Sequence, residues 1–154
     1  MRQKTLTFTI ITFASLMWTF FYSASLNADT TGAKIWRVID FSESDHKYLM
    51  LSRQRLIQQA QTIYGTQFHG TRRHDIALLQ RLLDEEKIAA DQRQLLQDMG
   101  VILGDIILRE FNVKWVIYHD QYGRSRALQL KHSDYFFFPI TMISRRAETG
   151  LAVD

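Results

Sequence analysis

The apolar residues Leu49, Leu56, Ile57, Ala60, Ile63 and Tyr64 recur at helical spacing, with polar positions between them. Ser42-Glu43-Ser44-Asp45 offers a capping-box-like start ahead of them, and Gly65 suits a left-handed close behind them. The pattern therefore predicts a helix over residues 42–64. Leu79, Leu82 and Leu83 mark a second helix over residues 76–86, with Asp75 as its cap. Leu95, Met99, Leu103 and Ile106 mark a third, from Asp91 to about Phe111. Beyond Asn112 the period falls to two, with Trp115, Ile117 and His119 alternating against Val116 and Tyr118. Asp120-Gln121-Tyr122-Gly123 reads as a hairpin loop, with Gly123 at its left-handed position, and residues 124–131 run back from it. After a turn at His132-Ser133-Asp134, residues 135–138 form a third strand, ended by Pro139. Residues 35–39 read as a short strand or an extended lead-in, and residues 141–146 as a short helical turn or a further extended piece. The order predicts an α+β fold: about three helices followed by a three-stranded antiparallel meander, with the helices over one sheet face.

Four features depart from this pattern. Arg53 falls within the apolar face of the first helix, so its guanidinium either snorkels to solvent or finds a carboxylate. Glu110 lies on the stripe of Leu95, Met99 and Ile106, and must pair with a cation or leave through the helix end. Arg53 and Arg124 are the expected partners. Gly100 and Gly104 stand one turn apart in the third helix, where each costs about 1 kcal/mol against alanine. Close packing against a helix or the sheet is the expected reason, since Asp105, Arg109 and Glu110 rule out a membrane dimer motif. Finally, Tyr135-Phe136-Phe137-Phe138 cannot all face inward on a two-sided strand.

The N-terminal segment has a different character. Arg2 and Lys4 precede residues 5–28, a run without formal charge that is rich in Leu, Ile, Phe and Trp. This is the pattern of a secretory signal, with Ala28 or Ser25 as the last residue removed, or of an uncleaved membrane anchor. Either places the rest of the chain outside the cytoplasm. Residues 29–41 read as linker and lead-in, and residues 42–154 as a single domain. The formal net charge of +3 gives no basic stripe: all 16 acidic residues lie at or after Asp29, interspersed with the cations, so nucleic acid is not an expected partner. The absence of cysteine removes disulfides, thiol nucleophiles and thiolate metal sites.

Chemistry is sparse. His46, His69, His74, His119 and His132 have no metal-ligand spacing, and neither a metal nor a cofactor is expected. His119, Asp120, Tyr122 and Arg124 form the densest polar cluster and are the candidate catalytic residues. Adjacent strand residues point to opposite faces, however, so His119 and Asp120 do not form a natural dyad. Arg124, Phe136, Arg145 and Arg146 are the candidate binding residues, an aromatic and cationic surface suited to a protein partner. Gly100, Gly104, Asp105, Glu110, Arg53, Trp115 and Gly123 are assigned to structure.

Several blocks resemble the bacterial family known as domain of unknown function 3806. They are Asp75-Ile76-Ala77-Leu78-Leu79-Gln80-Arg81-Leu82-Leu83-Asp84, Leu103-Gly104-Asp105, Lys114-Trp115-Val116, Asp120-Gln121-Tyr122-Gly123-Arg124 and Phe138-Pro139-Ile140-Thr141-Met142-Ile143. With Gln54-Arg55, the resemblance covers residues 42–154. It implies a small standalone domain and carries over no activity. The family pattern places an acid where Gln121 stands, and acidic or small residues near Ser125. The leading expectation is a non-enzymatic protein-binding module, of the kind that neutralises a secreted effector, in the periplasm or at the outer face of the inner membrane. The membrane would be touched only by an uncleaved N-terminal segment. The alternative is a small hydrolase or anion-binding enzyme with its site at the hairpin turn of residues 120–124.

Overall fold

In the computed structural model, residues 34–149 are described, and the expected signal or anchor over residues 1–28 lies outside them. The element order is β1 (Arg37–Ile39), α1 (Glu43–Tyr64), α2 (Arg72–Asp84), α3 (Arg93–Glu110), β2 (Val113–Asp120), β3 (Gly123–Leu130), β4 (Phe136–Phe137) and α4 (Pro139–Glu148). The fold is α+β as expected, with one more strand and one more helix. The segment over residues 35–39 contributes β1, which pairs antiparallel with β2, giving a sheet of order β1-β2-β3-β4. The segment over residues 141–146 lies inside α4, whose first residue is Pro139. Among the described residues no helix is long and apolar enough to cross a membrane.

Local chemistry accounts for the helix ends. Ser42 caps α1 reciprocally: its hydroxyl accepts the Asp45 N–H at 3.3 Å, and its own N–H donates to the Asp45 carboxylate at 3.1 Å. Gly65 closes α1 at φ +67°, its N–H reaching the Gln61 carbonyl. Asp75 is not the cap of α2, which begins three residues earlier at Arg72. Its buried carboxylate instead accepts the N–H groups of His69 and Gly70, each at 2.9 Å, and the guanidinium of Arg109 on α3 at 3.2 Å. Asp75 thus clasps the loop before its helix.

The main core lies among the helices, where Leu56, Leu79, Leu82, Leu96, Met99, Ile102, Ile106 and Ile143 meet. Leu49, Val101 and Ile140 form a second cluster, with Trp115 of the sheet packed against it. The outer sheet face is covered differently. Val116 and Ala127 pair across β2 and β3, are fully buried, and share that face with Tyr118. The rings of Trp36, Tyr118, Phe136 and Phe138 form a connected cluster at centroid distances of 5.0–5.7 Å. Phe136 and Phe138 therefore pack within the chain, whereas Tyr135 and Phe137 remain exposed.

The two glycines of α3 have the expected purpose. A Cβ at Gly100 would collide with the backbone of Pro139 and Ile140, and one at Gly104 with the Trp115 ring. The start of α4 therefore rests directly on the α3 backbone. Paired charges join the other elements. Arg53 holds Asp105 through two hydrogen bonds, at 2.6 and 2.8 Å, and Arg55 holds Asp98 likewise, at 2.8 and 2.7 Å. Glu110 does not pair with Arg53 or Arg124. As the last residue of α3 it leaves the apolar stripe at the helix end and faces Arg72, at 3.6 Å.

Candidate functional site

The β2–β3 hairpin is long enough to extend past β4, and this leaves part of β3 with an open side. Eight residue pairs join β2 to β3, from Val113–Leu130 to Asp120–Gly123. Only Leu128 and Gln129 pair with β4. The Leu130 N–H donates to the Tyr135 carbonyl, so the backbone groups of Leu128, Arg126 and Arg124 point to that same side. In the register of the ladder, the next partner after Phe137 opposite Leu128 would be Pro139 opposite Arg126. Proline has no N–H to donate, and the Pro139 carbonyl sits against Gly100. The ladder ends there, and the chain turns into α4.

Beside this open edge lies a groove of about 490 Å³. The hairpin supplies Tyr118, Asp120, Tyr122, Arg124, Ser125 and Arg126, while the start of α4 supplies Phe138, Ile140, Thr141 and Arg145. Tyr48 of α1 and Gln97 of α3 complete the lining. Three guanidinium groups face one carboxylate among these residues, which favours an anionic ligand. No carboxylate lies within ion-pair distance of Arg145 among the described residues.

Asp45 of α1 anchors the other two arginines. Arg126 reaches its carboxylate at 2.8 Å and Arg124 at 3.4 Å, and the Arg126 guanidinium carbon lies 4.0 Å from the Tyr48 ring centre. The Arg126 Nε is buried and has no hydrogen-bond partner among the described residues. Burial pushes the Asp45 carboxyl up. The Ser42 hydroxyl and N–H, followed by Arg126, outweigh burial and hold it below its ordinary value. A folded value below the unfolded value of about 3.9 means that this stabilisation is present above that pH. It is lost as the pH falls through the folded value. Asp45→Asn is therefore expected to weaken the fold at pH 7, and the deficit to shrink at pH 3. Urea unfolding of both proteins at the two pH values measures it.

The sequence candidates divide. Asp120, Tyr122 and Arg124 line the groove together with Arg145, and Asp120 accepts the Tyr122 N–H at 2.8 Å, which fixes the turn. Gly123 in the same turn takes φ +123°. His119 is not brought to the groove: its Nδ1 accepts a hydrogen bond from Arg37 on β1, at 3.0 Å. Phe136 belongs to the aromatic cluster, and Arg146 is exposed on α4 outside the groove lining. The other lining residues, Tyr48, Gln97, Arg126 and Thr141 among them, are not candidates from the sequence. Among the described residues no three His, Cys, Asp or Glu side chains are grouped to hold a metal ion.

The model of a family described as Domain of unknown function (DUF3806) matches residues 75–154. That span includes the hairpin, β4 and α4, hence most of the groove lining. No curated protein matches the chain. A crystal structure from Bacteroides thetaiotaomicron VPI-5482 superposes with a TM-score of 0.69 at 14% identity, over 77% of this chain and 44% of that one. The likeness extends the shared fold beyond residues 75–154, and this chain spans less than half the length of that relative.

Proposed function

This chain belongs to the DUF3806 family, and because that family's description names no activity, we propose a function from the groove: a non-enzymatic, protein-binding module that acts in the periplasm or at the outer face of the inner membrane. One observation carries the reading. Arg145 and Arg124 line one groove beside an unpaired strand edge, and no histidine among the described residues lines it. A hydrolase at the hairpin would need a base next to Asp120 and Arg124, and His119 is turned to Arg37 instead. The Asp120 carboxylate is engaged in the turn. Binding needs neither group. The location rests on the charge-free N-terminal run behind Arg2 and Lys4.

A photoreactive amino acid at Thr141, inside the groove, tests the reading in cells that express the full chain. A discrete protein adduct is expected at Thr141, absent at the exposed control position Met50, and lost when Arg145→Glu is added. Equal labelling at both positions, or an adduct indifferent to Arg145, would overturn the binding site. Digestion of the chain by protease added to intact spheroplasts, or its release when they are formed, is the expected result for the location, and protection together with cytoplasmic markers the contrary one.

A further inference from the structure

We propose that the groove takes its partner as an added β-strand: an extended segment with acidic side chains at alternate positions, paired along Arg124 and Arg126. The proposal rests on the binding-module reading and specifies how such a module would hold its partner.

The backbone carries the first half of the inference. Arg124 and Arg126 each direct one N–H and one C=O to the open side of β3, as the Leu130–Tyr135 hydrogen bond fixes by alternation. No hydrogen bond from β4 or α4 reaches these groups. Folded proteins usually blunt such an edge with a bulge, a proline or a covering element. The β2–β3 register runs without a bulge, and the only proline, Pro139, ends the β4 ladder; α4, which begins there, packs against β3 without adding a hydrogen bond to Arg124 or Arg126. β1 also ends the sheet, but it is only three residues long and lines no part of the groove. Strand addition at β3 would satisfy up to about four backbone groups, and a segment of about five residues at roughly 3.3 Å each covers that length.

Charge and alternation carry the second half. Arg124 and Arg126 share one face of β3, where they pair opposite His119 and Ile117. In an added strand, every second side chain lies on that same face, beside Arg124 and Arg126, in the groove that Arg145 also lines. Acidic side chains there gain charge-assisted hydrogen bonds. Arg124 is half exposed and only 3.4 Å from Asp45, so it can serve both carboxylates, whereas Arg126 is held by Asp45 at 2.8 Å and contributes mainly its charge. The intervening side chains of the segment fall on the other face, toward Tyr118 and Phe138, and are expected to be apolar or aromatic.

The probe is a capped heptapeptide with glutamate at alternate positions and valine between them, titrated calorimetrically into the full chain. A second peptide carries the same side chains but N-methyl groups on the alternate amides that would face β3. The first should bind, and the second should bind about tenfold or more weakly, since it loses two backbone hydrogen bonds to β3. Arg145→Glu should also weaken the first peptide about tenfold or more through charge repulsion. Circular dichroism of that variant should be unchanged, because Arg145 is exposed and has no ion pair among the described residues. Equal binding of both peptides would overturn strand addition and leave an electrostatic groove. Failure of both peptides, with the Arg145-dependent adduct at Thr141 intact, would overturn strand addition and keep the binding module. Failure of both peptides and of the adduct would remove the two readings together.

Discussion

Alanine at Gly100 is expected to destabilise the fold by about 2–3 kcal/mol, even though alanine gains about 1 kcal/mol in helix propensity. The added methyl would meet the Pro139 carbonyl and the Ile140 Cα, both backbone atoms at the start of α4. Backbone cannot swing aside as a side chain can, so α4 would have to lift from α3. Because α4 brings Thr141 and Arg145 to the groove, the same change is expected to weaken partner binding. Gly104→Ala makes the informative comparison, since its methyl meets mainly the Trp115 ring and Pro139 Cγ. That ring is a side chain held to Asp105 by one long hydrogen bond of 3.4 Å. Urea unfolding should rank Gly100→Ala as the more damaging of the two. The reverse order would mean that the approach of α4 to α3 is not as tight as described.

Arg55→Ala is expected to cost more, about 3–5 kcal/mol, because it leaves a buried carboxylate without its cation. Asp98 is completely buried, and Arg55 holds both of its oxygens across the α1–α3 interface. Gln94 supplies one further hydrogen bond, at 3.0 Å, which cannot neutralise the charge. Asp98→Leu in the Arg55→Met background should recover most of the loss, because the desolvated charge is then gone. A denaturant series on Arg55→Met, Asp98→Leu and the double variant separates the pair from its parts. If Arg55→Ala alone unfolds at the native midpoint, the pair is not holding α1 to α3.

The parts of this fold that depend on neighbours in sequence were legible. The Ser42 capping box, the Gly65 close and the alternation through residues 113–120 each arise within a few residues, and each appears where the pattern put it. The glycine pair of α3 was also readable, because two costly residues one turn apart demand a close approach. What the pattern could not supply was the identity of distant partners. Glu110 lies on the apolar stripe by periodicity, yet at the last residue of α3 its side chain reaches Arg72 on α2 instead of Arg53 or Arg124. Asp75 looked like a cap because it precedes an apolar run, while its carboxylate is committed to a loop and to Arg109.

The groove shows the same division. Asp120, Tyr122 and Arg124 are local to one hairpin and could be grouped from the sequence. Arg145 follows an aromatic strand in the sequence and reaches the groove, but Phe136 and Arg146 do not. Tyr48, Gln97 and Thr141 come from three different helices, and only the packing of α1, α3 and α4 brings them together. The sequence pattern makes Pro139 the end of a strand. That it also leaves Arg126 without a ladder partner follows only once the β3–β4 register is known.

The most direct measurement is nitrogen-15 chemical-shift mapping of the full chain on addition of the alternating glutamate–valine peptide. Perturbations should centre on the amides of Arg124 and Arg126, with Thr141 and Arg145 following, and those of the Asp75 loop unmoved. Shifts spread evenly over the exposed arginines, or centred on the Asp75 loop, would contradict a binding site at the open edge of β3.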